Sequence, residues 1–545
     1  MSSLQARLSE RIFEVAGVDP ELRPATKPQF GHYQCNVAMR LAKAEGRPPR
    51  EIAAELAEKL DLDDLCEPIE IAGPGFLNLR LRPEVLAGAV NEVLADPHAG
   101  VVQVDEPQTV VIDYSAPNVA KQMHVGHLRS TVIGDCLRRV QTGVGNTVIA
   151  QNHIGDWGTQ FGMLVEQILF ENLDASRLDL ESASELYQRS RAHFDSDPEF
   201  AERARKRVVA LQGGDPQTIG IWQQLIEVSK AGFNEAYDRL GVLLTDDDLA
   251  GESTYNDALP EVVADLEDRG VAVVDDGALC IFVEGIEAPL IVRKRDGGYG
   301  YGTTDLAAIR HRVRDLGADR IIYVVGAPQA THFKQVFAAA RKADYLPEDV
   351  DAVHIGFGSV LGTDGKPFKT RAGKTVTLMS LLDEAEEQAA PAVALAAIKY
   401  ADLSNGLNKD YVFDAERMSR TTGDTGPYLQ YAHARTCSVM REAEARGLST
   451  DTEVTVLTQP EEHTLALQLS KFGEAVAEVA DTLQPHKLCH YLFELAVAYS
   501  SFYQECPVLK SDGAVRDSRL ALCRATRTVL ARGLQLLGIE ALERM

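Results

Sequence analysis

A strand–helix–strand pattern starting at Thr109 constrains this chain more than any other feature. Val110-Val111-Ile112-Asp113-Tyr114 is a short apolar run that predicts a buried strand. Residues 128–140 keep Leu128, Val132, Cys136, Leu137 and Val140 on one helical face, and a second strand over 147–150 follows the turn Gly143-Val144-Gly145-Asn146. Two parallel strands joined by a helix are the unit of a doubly wound sheet, whose ligands sit at the carboxyl ends of the strands. A second α/β stretch over about 290–375 predicts strands at 320–325 and 352–357 around a helix at 332–343. The interval of about 160–285 is mostly helical and polar, as an insertion between two halves of one nucleotide-binding domain would be.

The chain has 545 residues, enough for roughly three to five domains. Residues 1–105 predict a small α+β unit. Leu4, Leu8, Ile12 and Val15 mark an amphipathic helix rather than the apolar block of a signal peptide. A helix at 51–60 and alternating runs at 69–71 and 76–81 follow, and the Pro/Gly-marked segment 96–100 closes the unit. The central α/β unit is then expected over 106–400 and a helical unit over 401–545. In that last unit Leu465, Leu469, Phe472, Val476, Val479 and Leu483 recur at helical steps, as in a bundle.

Eight scattered cysteines without a CxxC predict buried thiols in a reducing cytoplasm, with neither a disulfide framework nor a metal site. The longest apolar run, 389–398, is broken by Pro391 and falls short of the ~20 residues of a membrane span. The net charge of −26 argues, taken whole, against a polyanionic partner. Its distribution argues otherwise. Residues 246–287 carry 13 acidic side chains against 1 basic, and residues 51–70 carry 8 against 1. Both are expected on outer surfaces, while 121–141, 290–314, 364–374 and 510–532 lean basic and predict a nucleic-acid-facing track.

The sharpest motif is Ala116-Pro117-Asn118-Val119-Ala120-Lys121-Gln122-Met123-His124-Val125-Gly126-His127, between the first strand and its helix. Helix N-termini attract anions, two imidazoles there can donate to phosphate oxygens, and a glycine between them admits a flat base. The plain alternative is a helix cap carrying two surface histidines.

This string resembles the HIGH signature of class I aminoacyl-tRNA synthetases, and its longer form resembles the arginyl-tRNA synthetases. Residues 152–162, 303–307, 365–371 and 426–435 match the same family in order. The resemblance implies a Rossmann-like catalytic domain with a helical insertion, an N-terminal α+β domain that grips tRNA, and a C-terminal anticodon-binding helix bundle. It also implies a reaction. Arginine and ATP, with Mg2+ accompanying the ATP, give arginyl-adenylate, and the arginyl group then passes to its tRNA; activation itself is expected to need tRNA. The family is mostly monomeric.

By motif match, His124 and His127 are phosphate and transition-state donors and Gly126 is the adenine-side contact. The second signature loop reads Pro367-Phe368-Lys369-Thr370-Arg371, with Thr370 where the family pattern has its pyrophosphate-clamping lysine. Lys121 fits that vacated role, with Lys366, Lys369 and Arg371 as secondary candidates. Paired carboxylates suit a guanidinium fork. Asp305 and Asp113 match the guanidinium-side acids, Tyr301 packs on the side chain, and Ser115, Asn118 and Gln329 match the positions holding the amino and carboxylate ends. On local sequence alone, Asp305 is equally a helix N-cap acid. For tRNA, Phe76 and Asn78 match an aromatic-plus-amide pair, and Tyr428, Tyr431 and Arg435 share one helical face, where a core stripe is the bland alternative. The chain departs from the family pattern at 405–410, which lacks the usual basic stretch.

Overall fold

The computed structural model describes residues 3–25, 27–295, 297–368 and 376–545. Thr109–Asp113 and Thr147–Gln151 do form parallel strands, with the helix Val125–Gly143 between them. Arg320–Val324 and Asp351–Ile355 complete a four-stranded parallel sheet. In space the order runs Asp351–Ile355, Arg320–Val324, Thr109–Asp113, Thr147–Gln151. The first strand thus lies beside the third, with Tyr323 opposite Asp113. The connections wind away in opposite directions from that pair. Such a switch point opens a crevice above the strand ends, and Asp113 lies at the end of the first strand beneath it. Gly134 lets the intervening helix lie on the strand end, because a Cβ there would run into the Tyr114 ring.

The insertion contributes helices Thr159–Glu171, Leu180–Ser196, Pro198–Gln212 and Pro216–Leu240. It is less purely helical than its composition predicts. Val273–Asp275, Ala278–Ile281 and Leu290–Arg293 form an antiparallel sheet, so the insertion and the second half of the domain share a strand pair.

At the N-terminus, Arg23–Pro24, Tyr33–Cys35, Phe76–Leu79 and Glu70–Ala72 pair antiparallel in that order. Helix Leu4–Ala16 buries Leu4, Leu8 and Ile12, while Val15 stays 38% exposed in a last turn that outruns its packing surface. The C-terminal leucine and valine stripe is fully buried but belongs to two helices, Pro460–Ser470 and Phe472–Thr482. The 3.6-residue period runs across a break at Lys471, so periodicity alone merges them. All eight cysteines are buried and free. No helix among the described residues is long and apolar enough to cross a membrane.

Candidate active site

Chain from the first strand to the signature helix is strained and braced. Ser115, Ala116 and Ala120 adopt φ of +74°, +48° and +58°, a region that costs a non-glycine residue about 1–3 kcal/mol. Each amide nitrogen donates to a side chain from elsewhere: Ser115 to Ser130 Oγ (2.9 Å), Ala116 to Asn152 Oδ1 (3.0 Å) and Ala120 to Ser229 Oγ (2.8 Å). Ser130 Oγ in turn donates to the Val324 carbonyl at 2.6 Å, locking the loop to the neighbouring strand.

That loop delivers His124 to the N-cap of the signature helix. The Gly126 amide donates to His124 Nδ1 and the His124 amide donates to His127 Nδ1, both at 3.0 Å, in a reciprocal capping box. A ring nitrogen that accepts a backbone N–H carries no proton. Both neutral rings therefore hold their proton on Nε2, as outward donors. Burial, followed by charge from Lys121, lowers the His124 pKa, and burial followed by His124 pushes His127 down to about 3. The helix cap is present, and it sets the tautomer that a phosphate donor would need.

Lys121 lies over the Tyr187 ring, 4.1 Å from its centroid. Lys366 is exposed on a tight turn in which the Gly362 amide meets the Lys366 carbonyl at 2.8 Å. Lys369 and Arg371 lie outside the described residues. Where description resumes, the chain is back at the signature: Thr377 bridges His124 and the Leu378 amide donates to the Met123 carbonyl at 2.9 Å.

The amino-acid end differs from expectation in two places. Asp113 does meet a guanidinium, but it is that of Arg312. Nη2 reaches Asp113 Oδ2 at 2.7 Å, Nε reaches Gln151 at 2.5 Å, and all three side chains are buried. Asp113 is thereby an internal ion-pair partner rather than an open acid. The Ser115 hydroxyl is likewise enclosed, between Thr131 Oγ1 (2.9 Å) and the Tyr237 hydroxyl (2.8 Å). Asp305 meets the expectation better. It lies inside helix Tyr301–Arg314, whose N-cap is Gly300, so it caps nothing, and Oδ2 pairs with His332 Nε2 at 2.6 Å. Tyr301 is 78% exposed, and Asn118 and Gln329 are exposed at the crevice rim.

Glu252 completes this end. Burial, then the carboxylates of Asp156 and Asp305, push it up to about 7. It comes from the acidic stretch assigned to an outer surface, most of whose other carboxylates are exposed as expected. Glu261, Glu267 and Asp276 pair with Arg310, Arg293 and Arg295, neutralising part of the basic segment 290–314. Arg129 is spent on buried Asp402, and Arg519 on buried Glu462. Charge sums along a sequence do not reveal which charges are already paired.

Three family models match the chain: tRNA synthetases class I (R), catalytic domain, over 89–391; DALR anticodon binding domain over 429–545; and Arginyl tRNA synthetase N terminal domain over 2–81. The arginine–tRNA ligase of Cutibacterium acnes is 63% identical over 556 residues, covering all of both chains. The chain belongs to the arginyl-tRNA synthetases. The arginine–tRNA ligase of Thermobifida fusca is 50% identical, over 98% of this chain and 96% of that one. Among solved structures, the arginyl-tRNA synthetase of Plasmodium falciparum superposes with a TM-score of 0.85 at 28% identity, covering all of both chains. That of Thermus thermophilus gives 0.82 at 26%, covering 99% of this chain and all of that one.

In this synthetase the residues matched to tRNA contacts divide. Asn78 is buried, its Oδ1 accepting from Gln34 at 2.8 Å. It is built into the sheet rather than displayed as a base-edge group, while Phe76 beside it is half-buried. Tyr428 is tied to Ser500 (3.2 Å) and packs against Phe493, as the core-stripe alternative has it. Tyr431 is 38% exposed and stays on the surface. There the Arg435 guanidinium lies 4.8 Å from the Tyr431 ring and 5.0 Å from the exposed Tyr503 ring. Tyr503 lies on another helix, His486–Glu505, and no local spacing points to it.

Proposed function

We propose that this chain joins arginine to its tRNA through the residues assembled at the switch point, within a three-part chain of 1–105, 106–400 and 401–545. ATP enters as its magnesium complex, a substrate, with the adenine against Gly126. The arginine carboxylate attacks the α-phosphorus, the bond to the pyrophosphate oxygen breaks, and charge builds on the phosphate oxygens. His124 and His127 donate from Nε2–H to those oxygens, and Lys121 meets the departing pyrophosphate, with Lys366, Lys369 and Arg371 as secondary candidates for that contact. In the second step a hydroxyl of the tRNA's terminal ribose attacks the arginyl carbonyl and AMP leaves. Such chemistry needs positioning and charge stabilisation rather than a protein nucleophile.

Asp305 takes the guanidinium, with Glu252 contributing once ionised and Tyr301 closing over the stem. Asn118 and Gln329 hold the amino and carboxylate ends, while Asp113 and Ser115 act from behind as braces. Phe76, Tyr431 and Arg435 meet the tRNA by stacking and charge. The observation carrying this reading is the reciprocal histidine cap, which turns two Nε2–H donors outward at the switch point. Arginine-dependent ATP–pyrophosphate exchange in the presence of arginine tRNA tests it. Exchange that ignores arginine, or survives in the His124→Ala/His127→Ala double mutant, would sink it. The eight buried, unpaired cysteines support a reducing cytoplasm. A monomer is expected from the family resemblance; light scattering checks that.

A further inference from the structure

Lys121 makes no ion pair with any described carboxylate, and its ammonium lies over an aromatic face from the helical insertion. A ring face attracts a cation through its quadrupole yet leaves the full positive charge available to an incoming anion. A carboxylate in that place would cancel the charge the pyrophosphate has to meet. Tyr187 sits on helix Leu180–Ser196 and is half-buried against the core, so the ring has a fixed position to offer.

The insertion grips the same loop at two more points, both on helix Pro216–Leu240. Ser229 Oγ receives the strained Ala120 amide next to Lys121. The Tyr237 hydroxyl bonds Ser115 Oγ at 2.8 Å and accepts from Asn152 Nδ2 at 2.9 Å. The backbone grip aims the lysine and the ring catches its tip.

We infer that Tyr187 is a positioning residue for adenylate formation, its ring holding the Lys121 ammonium where the leaving pyrophosphate is met. The inference rests on the role proposed for Lys121. The insertion is then part of the machinery rather than a spacer, since a shift of helix Leu180–Ser196 moves the cation.

ATP–pyrophosphate exchange with arginine and arginine tRNA tests it in Tyr187→Leu, Tyr187→Phe, Lys121→Met and the Lys121→Met/Tyr187→Leu double mutant. Tyr187→Leu is expected to lose about two- to thirtyfold in kcat/KM for ATP, with KM for arginine unchanged, and Tyr187→Phe to restore most of it. In the Lys121→Met background Tyr187→Leu should add nothing. The same loss in both backgrounds overturns the inference, as does a silent Tyr187→Leu beside a crippled Lys121→Met. A silent Lys121→Met overturns the role of Lys121 as well, so the two failures are distinguishable. Because leucine also changes the shape of the side chain there, phenylalanines bearing one, two and three fluorines at position 187 give a control of nearly constant shape. Stepwise loss with each fluorine is expected, and a flat series overturns the inference.

Discussion

The two ends of the active site are built in opposite ways. The phosphate end comes from one short stretch: His124 and His127 cap each other within a single helical turn, and Lys121 is three residues upstream. The guanidinium end comes from far apart in the chain, with Asp305 and Arg312 on one helix, His332 on the next, Glu252 in the insertion and Asp113 at the first strand end. Local construction makes the histidine cap rigid in its own right, while Lys121 relies on the grip of the insertion on its loop. The other end holds its geometry only while several elements remain docked. Damage to the first should therefore appear as lost chemistry on an intact fold, and damage to the second should divide between affinity and stability.

The largest effect is expected from His124→Ala/His127→Ala. Removing a single transition-state donor costs on the order of 10²–10³ in rate, so exchange should fall at least 10³-fold, while the lost cap costs the fold only about 1 kcal/mol. Single-turnover rates beside thermal melts read both. A collapse of the melting transition would show that the histidine cap is not the self-contained unit described.

At the other end, Asp113→Ala and Asp305→Asn should part company. Asp113→Ala strands a fully buried guanidinium, and breaking such a pair costs about 3–5 kcal/mol of stability, visible in denaturant titrations. Asp305→Asn keeps its shape and should leave the melt nearly unchanged, while KM for arginine rises roughly 10- to 100-fold through loss of a charge-assisted bond. If Asp113→Ala folds normally and only raises KM, Asp113 reaches the substrate after all and the division of labour is wrong.

This contrast also explains what could be read from sequence. The sheet, its switch point and the histidine motif are local patterns, and the strands at 109–113 and 147–151 emerge within a residue or two of their predicted bounds. Pairing between distant residues has no period. That Arg312 would claim Asp113, that Gln34 would cover Asn78, or that Tyr503 would join Arg435 and Tyr431 depends on chain ends meeting over 44 to 199 residues. The acidic stretch is legible as solvated surface, since most of its carboxylates are exposed, but its pairing with arginines and the place of Glu252 beside Asp305 are not, for the same reason.

The smallest expected effect is also the most specific to the long-range end. Glu252 is pushed up to about 7 from the usual carboxylate range, first by burial and then by two neighbouring carboxylates. Between roughly pH 4.5 and 7 the folded state thus holds a proton that the unfolded state has released, and Glu252 costs the free enzyme stability as pH rises through that window. A bound guanidinium reverses the preference, favouring the anion and expelling the proton. Arginine should therefore bind more tightly as pH rises through about 7, with the share of Glu252 below tenfold per pH unit because it links one proton. His332, whose pKa is raised by its bond to Asp305, acts in the same direction: once charged, it competes for that carboxylate. Calorimetric titration of arginine across that range, in buffers of different ionisation enthalpy, counts the protons released. Glu252→Gln should remove its share and leave that of His332, and His332→Asn the converse. At the phosphate end His127, held down to about 3, is already neutral throughout this range, so His127→Asn should leave the arginine profile as it was. A profile altered by His127→Asn but not by Glu252→Gln would mean that the two ends are coupled through a proton, and that the local and distributed halves are not separable.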